Sequence, residues 1–271
     1  MNQQQTIYGY NAVAAAIARR PDDVIRLHFI AELAPRFGDI CKKLAATRRI
    51  YRTATAEELE IICKSSHHGG VVLITRPMPV DNVSATDITV WKTDRSLVLA
   101  FDNVGNTHNM GAMIRSAAFL GVRHVLIESN VAGSLLTSSA TRVAEGGMEH
   151  VKIRATPNLA QFIRDNRSDI PVIGTDQNSR IKLADVARKV RAEPRALMLV
   201  MGNEEHGLSP LVRDACSEMV SIPGRGIVES LNVVTAASIC MYELCQLVVE
   251  PSNSASAPRK RSAKTPDCTP Y

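Results

Sequence analysis

The sequence predicts an α/β protein whose main sheet is parallel and buried on both faces. From residue 96 onward, short apolar runs bounded by polar turns alternate with stretches of helical periodicity. These runs are continuous rather than alternating, as expected for strands covered by helices on both sides. Three of them end in polar loops rich in Gly, Asn and acidic residues, at the sheet edge where such folds gather their ligand sites.

Composition limits the classes of function. The chain of 271 residues carries a net charge of +5, which favours a polyanionic partner such as RNA, DNA or a phosphorylated ligand. Its six cysteines form no C-x-x-C pair and no Cys/His cluster with zinc spacing, which predicts reduced thiols and no metal site. The N-terminus lacks a signal-peptide pattern, and no apolar run reaches the roughly 18 residues of a membrane span. We therefore expect a cytoplasmic protein with no membrane partner.

Residues 1–78 are predicted to form a small α/β domain. Predicted helices span residues 11–19, 34–47 and 56–63, and predicted strands span 24–30 and 71–75. Many Arg and Lys residues give this domain a basic surface, which is either an ordinary solvated face or a nucleic-acid interface. His67 and His68 are adjacent and would point to opposite faces, so a loop is favoured over a metal site there.

Two stretches are predicted to lie outside the folded domains. Residues 79–95 continue a run of Pro, Asp and Asn that begins near Arg76, and they are predicted to be a linker. Residues 251–271 are dominated by Ser, Pro, Ala and basic side chains, which cannot bury enough apolar surface to fold alone. This tail is expected to be disordered, with an electrostatic RNA-binding arm as the alternative.

Residues 96–250 are predicted to form the parallel-sheet domain. Its predicted strands span residues 96–101, 122–128, 151–155, 172–175, 196–201 and 219–222. Its predicted helices span residues 110–120, 138–145, 159–166, 183–190, 211–216 and 231–249. This alternation predicts ligand-binding residues at the carboxyl ends of the strands.

The loop after the first of these strands leads into a helix through polar residues. Asn109 begins the helical pattern, as its N-cap or as a first-turn residue. Arg115 follows among small apolar neighbours, and a buried or half-buried Arg normally holds an anionic partner or a phosphate. Taken alone, a structural helix cap and a solvated Arg explain these two residues more simply.

Two later strands end in loops of the same kind. GNEEHGLSP occupies residues 202–210, and PGRGIVESLN at 223–232 runs into the last helix, with Ser230 at its predicted N-cap and Asn232 in its first turn. The chain has neither a G-x-G-x-x-G fingerprint after a strand nor a P-loop, which argues against dinucleotide and NTPase folds. Ser230 lies in no G-x-S-x-G elbow, which argues against a serine hydrolase.

Three motifs of the chain resemble those of the SpoU (TrmH) family of the SPOUT superfamily, whose members are S-adenosylmethionine-dependent RNA ribose 2′-O-methyltransferases. They are N-x-G-x-x-x-R-S-A at 109–117, G-N-E-x-x-G-L-S at 202–209 and I-P-x-x-G-x-x-E-S-L-N-V at 222–233. The opening I-Y-G-x-N-A-V is similar to the ribosomal-protein-like substrate-binding domain of many members. E-G-G-M-E-H-V at 145–151 is similar to bacterial tRNA/rRNA methyltransferases.

The resemblance implies a fold with a C-terminal trefoil knot, a homodimer, and a specific set of site residues. The implied catalytic residues are Asn109, Arg115, Glu204, Ser230 and Asn232. The implied S-adenosylmethionine pocket comprises Thr175, Met201, Gly202, Asn203, Glu204, Ile222, Ser230 and Leu231. Thr107 and His108 precede Asn109 where many members have Asp-Pro or Pro. The final motif often runs N-V-S, whereas this chain has N-V-V-T at 232–235. His108 either contacts RNA or has no functional role.

The implied reaction is ribose 2′-O-methylation of a structured RNA, with rRNA favoured over tRNA and guanosine as the favoured target. Asn109, Ser230 and Asn232 would orient the hydroxyl. Arg115 would hold the 3′-phosphate and stabilise alkoxide charge; the alternative role of base is disfavoured because guanidinium stays protonated. Glu204 would position Arg115 or accept a proton. The alternative function is a non-catalytic RNA-binding or ribosome-assembly factor, against which the intact set of five residues argues.

Overall fold

The computed structural model describes residues 4–228 and 230–245 of the chain. Its N-terminal domain is a four-stranded sheet in the order β1-β4-β2-β3, with helices packed on it. Only the β2–β3 pair is parallel. The strands are β1 (Gln5–Tyr8), β2 (Val24–Phe29), β3 (Ile50–Thr53) and β4 (Val71–Thr75). The helices are α1 (Tyr10–Arg19), α2 (Gly38–Ala46) and α3 (Ala56–Cys63). This arrangement accounts for the five elements predicted in this region, with shifted ends.

Three local differences from the predicted N-terminal elements have physical causes. The helix predicted from residue 34 is a 3₁₀ segment, Ala31–Arg36, followed by α2, and Pro35 within the 3₁₀ segment has no backbone N–H to donate. Strand β1 is only four residues long. Strand β3 lies at the sheet edge with all its residues exposed, so it lacks the alternation that identifies a strand.

Residues 79–95 are not a linker, contrary to the prediction. They contain β5 (Asp81–Asn82), which pairs with a strand of the large sheet, and α4 (Ala85–Thr93). Ser84 and Asp87 form a capping box at the start of this helix, and Trp91 is buried in the core of the larger domain. The polar residues that resemble a turn in the sequence are therefore helix-capping residues.

The larger domain has a seven-stranded sheet in the order β11-β9-β10-β6-β7-β8-β5, and every neighbouring pair is parallel. Its strands after β5 are β6 (Leu97–Phe101), β7 (His124–Glu128), β8 (Lys152–Thr156), β9 (Val172–Thr175), β10 (Leu197–Met201) and β11 (Glu218–Val220). Strands β6 and β10 are buried along their whole length, because helices cover both faces. The predicted parallel α/β fold is confirmed.

The helices of this domain form two layers. They are α5 (Thr107–Leu120), α6 (Ala132–Leu135), α7 (Ser138–Val143), α8 (Leu159–Asn166), α9 (Leu183–Ala192), α10 (Pro210–Ala215) and α11 (Val233–Cys245). Helices α5, α9 and α11 pack on one face of the sheet, while α4, α8 and α10 pack on the other. The predicted helix 231–249 thus begins at Val233, and its last predicted residues lie outside the described part of the chain.

The strand order places a switch point beside β6. The chain passes from β6 to β7 on one side and later returns to β10 on the other side. Loops leaving the carboxyl ends of β6 and β10 therefore diverge from a common crevice, the usual location of ligand sites in such sheets. Met201 is in register with Phe101, so these two loops start at the same level.

Some of the predicted features lie outside the described residues or are not tested by the structure. The predicted disordered tail 251–271 and Cys268 lie outside the described residues, and the trefoil knot and cytoplasmic location stay predictions. The five cysteines within the described part of the chain are free. No helix in residues 4–228 and 230–245 is both long and apolar enough to cross a bilayer. The same residues include no group of three His, Cys, Asp or Glu side chains placed to hold a metal ion.

Candidate active site

The first loop of the candidate site joins β6 to α5. Asn106, rather than Asn109, is the N-cap of α5, since its Oδ1 accepts a hydrogen bond of 2.9 Å from the backbone N–H of His108. Asn109 lies in the first turn, which was the second of the two placements predicted for it. The Asn109 side chain therefore does not cap the helix and can form a hydrogen bond with another residue.

Asp102, directly after β6, joins the first loop to the second. The residue is only 2% exposed, and its Oδ2 accepts a hydrogen bond of 2.6 Å from the backbone N–H of Ser209. The Ser209 hydroxyl donates to Oδ1 at 3.2 Å. Asp102 was not among the predicted site residues, although an acid immediately after a buried strand is the signal that identifies it.

The second loop is a compact turn closed on itself. Asn203 and Gly207 exchange backbone hydrogen bonds of 2.9 and 3.0 Å. The Asn203 side chain donates to the carbonyl of Asn103 at 3.0 Å, which again links the second loop to the first. A Cβ on Gly202 would lie 2.4 Å from the carbonyl carbon of Gly207, so only glycine fits there.

Glu204 projects from the tip of this turn toward the start of α5. Its carboxylate accepts hydrogen bonds from Asn109 Nδ2 at 2.7 Å and from the backbone N–H groups of Gly105 at 3.2 Å and Asn106 at 3.4 Å. Desolvation works to raise the pKa of Glu204, but the donors, led by Asn109, outweigh it and lower the pKa. In the described part of the chain, Glu204 is thus hydrogen-bonded to Asn109 and not to Arg115, the first of the two partners predicted for it. A lowered pKa makes a carboxylate a weak proton acceptor, which argues against the second predicted role.

The lowered pKa of Glu204 gives a pH prediction. A lowered folded-state pKa stabilises the loop at pH values above the ordinary 4.5 of this carboxyl, and this stabilisation is lost as pH falls through the folded value. We expect Glu204→Gln to lower the rate of the reaction that the sequence resemblance implies about tenfold, by weakening the hydrogen bond from Asn109. The shape of its pH–rate profile above about pH 6 should match that of the wild type. Loss of a titration limb near neutral pH in this variant would instead identify Glu204 as the proton acceptor.

Arg115 lies elsewhere on the same helix. Six residues beyond Asn109, it points about 120° away around the axis and lies about 9 Å further along it. Its side chain is exposed and pairs with no carboxylate in the described part of the chain, contrary to the predicted half-buried Arg with an anionic partner. It lines a groove of about 730 Å³ together with Phe119 of α5 and with Ser238 and Tyr242 of α11. An exposed, unpaired guanidinium is available to an external anion.

The third loop leads into α11. Asn232 is the N-terminal cap, since its Oδ1 accepts a hydrogen bond of 2.8 Å from the backbone N–H of Val234. The predicted cap is therefore wrong: Asn232, which was predicted for the first turn, is the cap, and Ser230 lies exposed two residues before it. No hydrogen bond joins Ser230 or Asn232 to Asn109 or Glu204, although Ser238 of α11 donates to Ser116 of α5 at 2.9 Å.

The residues predicted for the cofactor pocket lie at one edge of the sheet. Thr175 ends β9, Met201 ends β10 and Ile222 follows β11, and these strands are neighbours. Residues 222–228 and 230–231 form no backbone–backbone hydrogen bond within the described part of the chain, so their peptide groups are available to a ligand. Ile227, Val228 and Leu231 are exposed apolar side chains in the same loop. A mixture of free peptide groups and apolar surface fits S-adenosylmethionine, whose adenine needs both.

His108 contacts a second helix of the domain. Its Nε2 lies 2.6 Å from the hydroxyl of Ser139 at the start of α7. This contact gives His108 a structural role in joining α5 to α7, and contact with RNA stays a prediction.

Family models match both domains. The model of the SpoU rRNA methylase family matches residues 96–242, and that of the RNA 2′-O ribose methyltransferase substrate-binding domain matches residues 6–80. The chain is similar to the 23S rRNA (guanosine-2′-O-)-methyltransferase RlmB of Acinetobacter baylyi, with 32% identity over 91% of this chain and 98% of the relative. It is 31% identical to the uncharacterized tRNA/rRNA methyltransferase YfiF of Escherichia coli O157:H7, over 89% of this chain and 68% of that protein.

Solved structures share the fold. The SpoU methyltransferase AviRb from Streptomyces viridochromogenes, in complex with AdoMet, superposes with a TM-score of 0.69 at 24% identity, covering 90% of each chain. An rRNA methyltransferase from Sinorhizobium meliloti superposes with a TM-score of 0.71 at 18% identity, covering 92% of this chain and 89% of that one. With three motif loops at the carboxyl edge of a parallel sheet and family models matching both domains, the chain belongs to the SpoU rRNA methylase family.

Proposed function

We propose that this protein transfers a methyl group from S-adenosylmethionine to the ribose 2′-hydroxyl of a guanosine in 23S rRNA. The observation that carries this proposal is the hydrogen bond from Asn109 to Glu204, because it joins two of the three motif loops into one site. The relative named as a 23S rRNA guanosine methyltransferase aligns over nearly its whole length, which supports the choice of RNA and nucleotide. The basic net charge of +5 is consistent with an RNA partner.

Asn109 is the group we assign to orient the reacting hydroxyl. Bound S-adenosylmethionine supplies an electrophilic methyl group. Because Asn109 Nδ2 donates to Glu204, the side-chain carbonyl oxygen remains free to accept the hydrogen bond of the ribose 2′-hydroxyl. Holding the hydroxyl in line with the methyl group provides much of the rate enhancement in such transfers. Glu204 contributes by fixing the rotamer of Asn109.

Arg115 is the group we assign to the anionic parts of the RNA. Its exposed guanidinium can bind the phosphate beside the target ribose and stabilise the negative charge that develops on the 2′-oxygen. Guanidinium remains protonated in proteins, so we assign it no role as a base. Ser230 and Asn232 stay predicted site residues, with Asn232 acting at least as the cap of α11.

A homodimer is part of the proposal. The groove beside Arg115 exposes Phe119 to 88% and Tyr242 to 54%, and large aromatic side chains exposed together are typical of association surfaces. In this dimer we assign Arg115 of one copy to the site loops of the other, because Arg115 points about 120° away from Asn109 of its own chain. Light scattering is expected to give twice the 29.5 kDa chain mass, and a monomer at assay concentration would contradict this part of the proposal.

Labelled S-adenosylmethionine and unmodified 23S rRNA test the reaction. After incubation with the protein, digestion to nucleosides is expected to give label in 2′-O-methylguanosine. Label in a base would contradict ribose methylation. Binding of the RNA without any transfer would instead support the alternative, a ribosome-assembly factor that retains the fold.

A further inference from the structure

The N-terminal domain contacts the larger domain mainly along residues 136–150, which comprise α7 and the turn that leads to β8. Arg142 Nε donates to the carbonyl of His67 at 2.7 Å, and Asn11 Nδ2 donates to Glu145 at 2.5 Å. A Cβ on Gly146 would lie 2.8 Å from Ala15 Cβ, so α1 packs directly on this backbone. Contacts between domains of one chain are ordinarily loose and permit relative motion, and this one is unusually specific.

The centre of this contact is a buried ion pair. Arg20, the C-cap residue directly after α1, donates through Nε to both oxygens of Glu149 at 3.0 and 3.1 Å. The Arg20 side chain is 12% exposed and that of Glu149 is 4% exposed. The remaining donors of the guanidinium reach the carbonyl of Arg76 at 2.7 Å and Gln5 Oε1 at 3.3 Å. One side chain thus joins two strand ends of the small domain to Glu149 of the large one.

The same segment also packs on the helix that carries Arg115. A Cβ on Gly147 would lie 3.2 Å from Arg115 Cα and 3.2 Å from the carbonyl oxygen of Ile114. The 3₁₀ turn Gly147–His150 therefore lies between Arg20 on one side and α5 on the other. Direct packing contacts therefore connect the substrate-binding domain, through this turn, to the backbone of Arg115.

We propose that Arg20 and Glu149 are positioning residues that lock the substrate-binding domain onto the helix carrying Arg115. The pair then fixes, within a single chain, the distance between the RNA element held by the small domain and the ribose presented to the site loops. This inference rests on the proposed function. Two binding surfaces held at a set spacing engage an RNA of matching shape with a high effective concentration, and they reject an RNA whose spacing differs.

The competing explanation is that Arg20 binds RNA directly. Substitutions that change the charge of Arg20 or of Glu149 distinguish direct binding from domain positioning. Under direct contact, Arg20→Ala removes a cation and weakens RNA binding, whereas Glu149→Gln removes an anion and strengthens it. If the ion pair instead holds the two domains together, each substitution breaks the same Arg20–Glu149 contact, so both raise the KM for RNA. The sign of the Glu149→Gln effect therefore decides between the two explanations.

The test uses the full-length chain with two RNA substrates. One is an rRNA fragment long enough to contact both domains, and the other is a short stem-loop around the target nucleotide. With the long RNA, each single variant is expected to raise KM about tenfold while kcat changes little, because the site loops are intact. With the short RNA, the variants should equal the wild type. Arg188→Ala is the matched control, because Arg188 is exposed and pairs with Asp185 on its own helix.

Amide hydrogen exchange provides a readout independent of catalysis. Exchange at residues 144–150 is expected to rise about fivefold or more in both single variants and to stay unchanged in the Arg188→Ala control. The double variant Arg20→Met, Glu149→Leu controls for misfolding of the single variants. It leaves no unpaired charge in the contact, because two apolar side chains of similar volume replace the buried ion pair. Its KM should be no higher than that of either single variant.

Three outcomes would overturn the lock. They are opposite KM shifts in Arg20→Ala and Glu149→Gln, unchanged exchange at residues 144–150 in both, and equal effects on the short and long RNA. If the wild-type chain transfers no methyl group, the proposed function fails by itself. Hydrogen exchange and RNA affinity measured by filter binding would then still decide whether the pair locks the domains.

Discussion

Arg115→Ala is expected to lower methyl transfer to RNA by roughly two to three orders of magnitude while S-adenosylmethionine binding survives. The guanidinium is the exposed cation of the first motif and pairs with no carboxylate among the described residues, so its charge is available to RNA. Loss of a group that stabilises developing negative charge lowers kcat by roughly 10²- to 10³-fold. Single-turnover transfer to 23S rRNA and calorimetric titration with S-adenosylmethionine measure the two properties separately.

Two further variants sharpen the Arg115 experiment. Arg115→Lys keeps the charge but loses the fork that binds phosphate in a bidentate manner, so an intermediate rate is expected. Arg123→Ala removes another exposed Arg, directly before β7, and should retain the wild-type rate. The mass of each variant is checked by light scattering, because the Arg115 groove is also the proposed dimer surface. A dimeric Arg115→Ala variant with wild-type activity would refute the catalytic assignment.

Gly202→Ala is expected to have the second largest effect. The added Cβ would lie 2.4 Å from the carbonyl carbon of Gly207 and 2.6 Å from the backbone nitrogen of Leu208. Because both are backbone atoms, the turn must open, and this displaces Glu204 from Asn109. Overpacking of this kind lowers the free energy of unfolding by about 2–3 kcal/mol. We also expect the variant to lose S-adenosylmethionine binding, because Met201, Gly202 and Asn203 are predicted pocket residues.

The control for this variant is Gly133→Ala, at which a new Cβ meets no atom within 4 Å. It makes the same chemical change in a different part of the domain and should leave melting temperature and cofactor affinity close to wild type. Wild-type cofactor affinity in Gly202→Ala would show that the closed turn 202–207 does not shape the pocket. Thermal unfolding and calorimetric titration of the two variants make this comparison.

The sequence predicted best those features that depend on residues close together in the chain. Continuous apolar runs predicted each strand of the large sheet except β5, which has only two residues. Asn109 and Glu204 were both predicted as site residues, and they form a hydrogen bond. Arg115 was predicted to point inward because its neighbours in the sequence are apolar. In a helix, however, successive residues point about 100° apart, so apolar neighbours do not bury the residue between them.

The sequence by itself determined the fold class, the three polar loops at strand ends and the residue types available for the reaction. Only the tertiary structure decided which side chains meet. Glu204 meets Asn109 across 95 residues of chain, and Arg20 meets Glu149 across 129. The physical reason is that secondary structure depends on short-range periodicity, whereas such partners depend on which strands become neighbours once the whole core has packed.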